Sequence, residues 1–294
     1  MSFINRHRER FGVEPICETL AVAPSTYYGA ASRPPSARRR RDEELKAQIA
    51  RVHRDNFNVY GVKKVWKQLL REGLRVGRDR VARLMAELGL VGAVRGKTWR
   101  TTIPGQLERR PADLVERNFT AAAPNRLWVA DLTYVSTWSG VAYVAFVTDV
   151  FSRALVGWKV ATSLRTDLAL DALEMAIWAR QSRPLVGLVH HSDRGVQYLP
   201  IRYTERLADA GAVCSVGSRG DSYDNALAES VIGLFKTEVV RKQGSWKSFG
   251  QLELATARWV DWYNHRRLHS SIGEVPPAEF EASYYANRPT VDAA

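Results

Sequence analysis

RLWVADLTYVSTW, residues 126–138, is the stretch on which the fold turns. Its β-branched and aromatic residues predict a strand, yet Asp131 interrupts it among Leu127, Trp128, Val129 and Leu132. A buried carboxylate without a partner is costly, so this acid calls for a metal ion or for an Arg from elsewhere in the chain. Two further acids stand out downstream. Asp193 follows the apolar run of LVGLVHHSDRG (185–195), where a strand should end and where a turn-forming Asp is the competing reading. Glu229 lies in YDNALAESVIGLFKTE (223–238), a helical stretch, and 35 residues separate it from Asp193.

Within that helix Asn225, Glu229 and Lys236 stand at i, i+4 and i+11 and share one face. Ala226, Leu227, Val231, Leu234 and Phe235 supply the apolar side, and Asp221, Ser222 or Asp224 is placed to cap the start. A solvated face is the plain alternative for Glu229 and Lys236. From Asn125 onward the pattern gives three strands to about residue 162, a helix at 166–180, a strand at 185–190, a helix at 201–210, a strand at 212–216, and then the Glu229 helix. That order predicts an α/β, RNase H-like sheet. An acid on a strand, an acid at the end of a later strand and an acid on a helix would then gather Asp131, Asp193 and Glu229 around two divalent ions. Mg²⁺, with Mn²⁺ as substitute, suits such oxygen donors, and a pair of ions serves the attacking and leaving oxygens of phosphodiester chemistry.

Charge points the same way. Residues 1–110 hold 24 Lys and Arg against 11 Asp and Glu, a net of +13, whereas the remaining 184 residues hold 19 against 20. A basic N-terminal third joined to a nearly neutral remainder is the footprint of a nucleic-acid-binding module; a solubilising basic tail also accounts for RPPSARRRR (33–41). EELKAQIARVHRD, YGVKKVWKQLLREG and RVGRDRVARLMAELGL read as three helices with helix-turn-helix character, Gly73 and Gly77 marking the turn before the third. The third helix offers Arg78, Arg80 and Arg83 to a groove or phosphates, and Lys63 and Lys64 on the second are expected to join them. A small bundle with charged outer faces is the structural alternative. VEPICETLAVAPSTYYGA has a weaker helix-turn-helix cadence: a helix, a turn at Ala23 and Pro24, and a short helix opened by Ser25.

The words HSDRGVQY around Asp193, DNALAES around Glu229 and YNHRRLHSSIGEVPPAEF at 263–280, together with the set Asp131, Asp193, Glu229 and Lys236, resemble the DDE signature shared by retroviral integrases and insertion-sequence transposases. The chain is most similar to the integrase-like OrfB subunit of the insertion-sequence three family, over nearly its whole length. The resemblance implies an integrase-type catalytic core that nicks transposon ends and transfers the freed 3′-hydroxyl to new DNA, with Asn225 and Lys236 beside the substrate. For Tyr263, Asn264, Arg267 and His269 it implies scaffold and DNA-proximal roles, Arg267 and His269 being taken as DNA contacts. It further implies terminal inverted repeats and target DNA as partners, homo-oligomers on DNA, a joined-end circle, and a longer fusion with an upstream-frame OrfA protein. No sustained heptad runs through this chain, so a coiled coil would have to come from that partner.

The organisation expected is therefore a short helix-turn-helix-like segment and basic linker at 1–41, a helix-turn-helix domain at 42–94, a linker at 95–122, an RNase H-like core at 123–245 and a helical extension at 246–294, with Trp259, Trp262 and Leu268 packed on the core. His265 and His269, read at i and i+4 on a helix, are rejected as a metal pair because further ligands and supporting groups are missing. His190 and His191 either orient a water or phosphate or are packed. Cys17 and Cys214 make no zinc spacing. Few cysteines, no leader and no apolar span predict a cytoplasmic protein without a membrane segment. Two other functions fit the same fold: an idle DNA-binding regulator, which needs no acidic triad, and a nuclease that cuts without joining.

Overall fold

The computed structural model describes residues 1–94, 120–183, 185–192, 201–216 and 226–287. The chain divides into two compact units, Met1–Ala50 and Arg51–Ala294.

In the first unit α1 (Ser2–Phe11), α2 (Val13–Thr19) and α3 (Pro24–Ser32) enclose Ile4, Ile16, Cys17 and Tyr27. Gly12, at φ 76°, turns the chain between α1 and α2, a conformation that suits glycine. Tyr27 Oη donates to Asn5 Oδ1 at 2.8 Å. Pro24, not Ser25, opens α3, because its fixed φ suits the first helical position. The basic run expected as a linker is instead helical from Ala37, where α4 (Ala37–Asp55) begins.

The second unit starts within α4 and continues through α5 (Val62–Arg71) and α6 (Arg78–Glu87). Gly73, at φ 82°, closes the turn after α5. Then come β1 (Leu127–Thr137), β2 (Gly140–Asp149), β3 (Leu155–Ala161), α7 (Thr166–Ala179), β4 (Val189–Ser192), α8 (Ile201–Asp209), β5 (Val213–Val216) and α9 (Ala226–Phe235). A π-helical turn (Lys236–Val240) and α10 (Arg241–Gln243) continue α9, and α11 (Phe249–His265) and α12 (Pro277–Ala286) complete the unit. The sheet order is β3-β2-β1-β4-β5. β1, β2 and β3 are antiparallel neighbours, while β4 and β5 run parallel to β1. This is the RNase H-like sheet read from the sequence, with β4 shorter and later than expected.

Strand alternation divides β1 between two layers. Trp128 and Ala130, with Ala145 and Val147 of β2, face Leu168, Ala172, Leu173 and Ala176 of α7 and Leu207 of α8. Leu127 and Val129 face Ala228 of α9, and Phe146 of β2 meets Phe235 and Trp259 edge-on at 5.2 and 5.8 Å. Gly157 is where α7 presses onto β3: a Cβ there would run into the Ala172 carbonyl and lie 2.9 Å from Ala176 Cβ.

The helices expected for a helix-turn-helix domain at 42–94 are present as the later part of α4, α5 and α6. Residues 51–94 belong to the same unit as the sheet, and the reason lies in α11 and its exit. Trp262 Nε1 donates to Asn56 Oδ1 at 3.0 Å, its ring lies 5.0 Å from Phe57 and 5.9 Å from Tyr60, and the Leu268 amide donates to Tyr60 Oη at 2.8 Å. Trp259, Trp262 and Leu268 are all buried as expected, and Trp262 also meets the helix-turn-helix-like segment.

Candidate active site

Asp131 stands on β1 opposite Phe146 of β2. That parity turns it toward the α9 layer, two residues beyond Val129, which packs against Ala228. Its Oδ1 accepts the Leu132 amide at 2.7 Å, which orients the half-buried carboxylate. Glu229 follows Ala228 in the first turn of α9 and is exposed. The packing of α9 on β1 thus brings the turn carrying one predicted acid to the strand carrying another.

The parallel ladder pairs Ala130 with Ser192, and the described part of β4 ends there. Asp193, the next residue, lies outside the described residues, as do Asn225 and the proposed caps Asp221, Ser222 and Asp224. Among the described residues no three His, Cys, Asp or Glu side chains form a metal-sized cluster. Asp131 and Glu229 fit a hard divalent cation by donor chemistry, both offering carboxylate oxygens from adjoining elements.

Lys236 begins the π-helical turn and is half-buried. Its ammonium lies 5.3 Å from the centre of the Tyr134 ring. Burial lowers its pKa, opposed by the attraction of Asp131 and reinforced by the repulsion of Arg241. Lys236 is therefore within electrostatic reach of Asp131. The buried face of α9 differs from the one expected: Ala228, Val231, Ile232 and Phe235 are inside, while Ala226 is exposed. The wider π-helical turn also shifts every residue from Lys236 onward out of the α-helical phase that the i+11 spacing assumed.

Arg267 and His269, expected to contact DNA, are buried, at 5 % and 6 % exposure. Arg267 grips Glu238 of the π-helical turn, Nη2 to Oε1 at 2.7 Å and Nε to both oxygens at 3.1 Å, and Trp259 Nε1 donates to Oε2 at 3.0 Å. His269 packs on Tyr263 with ring centres 4.5 Å apart, and burial, with Arg267 and Lys64 adding to it, lowers its pKa to about 2. The premise of a His265 and His269 pair on one helix also fails, because α11 ends at His265. Asn264 is structural too: its side chain accepts the Leu155 amide and donates to the Leu155 carbonyl, both at 2.9 Å. Glu238 gave no sequence signal of its own. A Glu one turn beyond apolar Leu234 and Phe235, followed by two valines, is the trace it leaves.

Of the basic residues on the helix-turn-helix-like segment, Arg78 is exposed and lies 3.5 Å from Asp79, Arg80 is half-buried, and Arg83 pairs with Glu87. Lys63 pairs with Glu274 at 2.5 Å. Lys64 is half-buried over the Tyr60 ring, and burial foremost lowers its pKa to about 8. His190 and His191 are fully buried. His191 Nδ1 meets Ser215 Oγ at 2.9 Å and His190 Nε2 meets Tyr203 Oη at 3.1 Å, so packing describes them. Both cysteines are free thiols. Among the described residues no helix is long and apolar enough to cross a membrane.

Comparison with known proteins adds the following. Residues 121–222 and 210–277 match the Integrase core domain family, and residues 40–98 match an HTH-like domain. The chain is 57 % identical over 272 residues to a putative transposase for insertion sequence element IS986/IS6110 from Mycobacterium tuberculosis, covering 92 % of this chain and 98 % of that one. It is 53 % identical over 292 residues to the transposase for insertion sequence element IS629 from Shigella sonnei, covering 98 % and 97 %. Among solved structures it is similar to a chain of the simian T-cell lymphotropic virus intasome in complex with PP2A regulatory subunit B56 gamma, with a TM-score of 0.46, 14 % identity and coverage of 83 % and 76 %.

Proposed function

The chain belongs to the integrase-core transposases of insertion sequences, and from that premise we propose that it nicks the ends of a mobile DNA element and joins them to new DNA at a site formed by Asp131, Asp193 and Glu229. The observation that carries this reading is the seating of the Glu229 turn against the Asp131 strand, with the Lys236 ammonium within reach of Asp131. Asp193 enters from the sequence alone. Mg²⁺, or Mn²⁺ in its place, would be held by these carboxylates; when bound, a pair of ions supplies an activated attacking oxygen and charge neutralisation on the leaving one.

The chain's own groups do the rest. Asp131 is oriented by the Leu132 amide, so little reorganisation precedes ligation. Lys236 offers positive charge to a phosphate beside Asp131. In the first step water attacks phosphorus, the bond to the 3′ oxygen breaks and a 3′-hydroxyl is released; in the second that hydroxyl attacks a new phosphodiester and displaces its 3′ oxygen. Neither step needs a covalent link to protein. Terminal inverted repeats and target DNA are the substrates in this reading, several copies act together on DNA, and an upstream-frame partner supplies further end recognition.

The test uses a duplex ending in the element's terminal repeat. Asp131→Asn and Glu229→Gln each abolish Mg²⁺- or Mn²⁺-dependent nicking and joining while the protein still retains DNA, because ligand affinity is lost and positive charge is not. Nicking by either variant at the parent rate refutes the assignment. Nicking without joined products assigns the chain to the nucleases instead.

A further inference from the structure

The matched families start at residue 40, ahead of which lie α1, α2 and α3. Packing within this first unit makes α2 and α3 a helix-turn-helix of their own. Residues 20–23 join the two helices, a connection of the length that motif uses. Ala21 takes φ 50°, a left-handed conformation that a residue with a Cβ seldom adopts, and across the turn the Val22 amide donates to the Cys17 carbonyl at 2.9 Å. Ile16 and Cys17 of α2 then close on Tyr27 of α3, together with Ile4 of α1.

Tyr27 is the buried residue of α3. The opposite face carries Ser25, Tyr28, Gly29 and Ser32, at i, i+3, i+4 and i+7, and all four are exposed. Tyr28, 51 % exposed, is steadied by an edge-on contact with the Tyr27 ring, their centres 5.3 Å apart. Gly29 stands in mid-helix although glycine is a poor helix former, and among the described residues nothing lies within 4 Å of the place its Cβ would take. Packing inside this unit does not call for a glycine there. A ligand that comes close to the helix backbone does.

Charge indicates which ligand. Residues 19–41 hold five Arg, no Asp and no Glu. Four of them, Arg38, Arg39, Arg40 and Arg41, are exposed on the first turns of α4, which follows α3 after the short link 33–36. The acids of the three helices, Glu9, Glu14 and Glu18, lie on α1 and α2. Hydroxyls on a helix face serve both donors and acceptors on base edges, and arginines beside them hold phosphates. Resting on the function proposed above only in taking DNA as substrate, we infer that α3 reads the major groove of duplex DNA. Ser25 and Tyr28 meet base edges, Gly29 lets the groove come close, and the α4 arginines hold the flanking backbone. The chain then selects sequence through a helix outside the segment that matches the HTH-like family.

The experiment mixes the full-length chain, in EDTA, with duplexes randomised over about two helical turns, and sequences what is retained. The parent enriches a motif. Ser25→Ala combined with Tyr28→Ala weakens binding to the enriched duplex about tenfold and to an unrelated duplex less than about twofold, because base contacts and not phosphate contacts are removed. Gly29→Leu melts no lower than the parent, since leucine favours the helix, yet loses the motif to the same extent, which separates the groove from any folding defect. Ser25→Arg moves one position of the motif to guanine, a gain that misfolding cannot produce. Arg39→Gln and Arg40→Gln weaken binding to every duplex and each lower the salt slope by about one. A parent that enriches nothing overturns the proposal, as does a motif unchanged in the double alanine variant. Equal loss on enriched and unrelated duplexes also overturns it, and so does a change confined to the oligomeric state, which would make α3 a contact between copies. If the parent selects a motif but never nicks repeat ends with metal, the catalytic reading falls and this one stands.

Discussion

Replacing Arg267 with Ala isolates the interaction that fastens the π-helical turn after α9 to the C-terminal segment. Glu238 would keep a single donor, Trp259 Nε1, and lose every charge-assisted bond to the guanidinium while remaining at 5 % exposure. Burial pulls the Arg267 pKa down and Glu238 more than reverses it, so the net direction is up and the guanidinium stays charged when folded. Removing one partner of such a pair costs about 3–5 kcal/mol, mostly the stranded charge. The excised guanidinium also leaves the rings of Trp262 and Tyr263, 5.9 and 5.6 Å away. For a unit of this size that corresponds to a melting temperature lower by roughly 10 °C. Urea unfolding followed by tryptophan fluorescence reads the loss. Adding Glu238→Gln to an Arg267→Met background should return about 1–3 kcal/mol, since no bare charge then remains. If Arg267→Ala unfolds within about 1 kcal/mol of the parent, or if the double variant loses the sum of both single losses, then the burial and hydrogen bonding described for this pair do not control stability.

Three further outcomes follow from the same packing. His269 and His190 have pKa values lowered to about 2 and about 4 by burial, against 6.5 when unfolded, so the unfolded chain binds more protons and stability falls as pH drops from about 6.5 toward 4; urea midpoints that stay flat from pH 7 to pH 5 would contradict this. Gly157→Ala drives a methyl group into the Ala172 carbonyl and Ala176 of α7, costing about 1–3 kcal/mol by thermal melting, and an unchanged melt would mean that α7 shifts freely on β3. Tyr60→Phe removes the acceptor of the Leu268 amide and the donor to the Arg266 carbonyl, a loss of about 1–3 kcal/mol that hydrogen exchange should localise to the start of α5 and to residues 266–268.

Much of the sheet was legible because its signals are local. The apolar alternation of 126–138, the run before HSDRG and the periodicity of the Glu229 helix each depend on neighbours in sequence, and β1, β4 and α9 appear where those signals lie. Asp131 was legible for the same reason: an acid inside an apolar strand is a visible conflict. What was not legible depends on residues far apart. Arg267 and His269 look like a basic, DNA-facing pair in YNHRRLHSSIG, and only the arrival of Glu238 and Tyr263 turns them inward. Trp262 reads as core, as it is, but its partners Asn56 and Tyr60 lie about two hundred residues away and give no local sign. Lys236 was placed on the Glu229 face by ideal helical spacing, whereas the turn that carries it is π-helical.

The clasp between Asn56 and Trp262, and between Tyr60 and Leu268, spans 206 and 208 residues of chain. On a ribosome adding about 5–20 residues per second, roughly 10–40 s pass between the emergence of one half and the synthesis of the other. During that interval Asn56, Phe57 and Tyr60 have no Trp262 to receive them, and the segment that reads as a ready-made helix-turn-helix must wait. Such long closure is slow even once both halves exist. A polypeptide released before Leu268 would therefore carry an open, aromatic-lined seam in place of a finished fold, a natural target for chaperones and proteases.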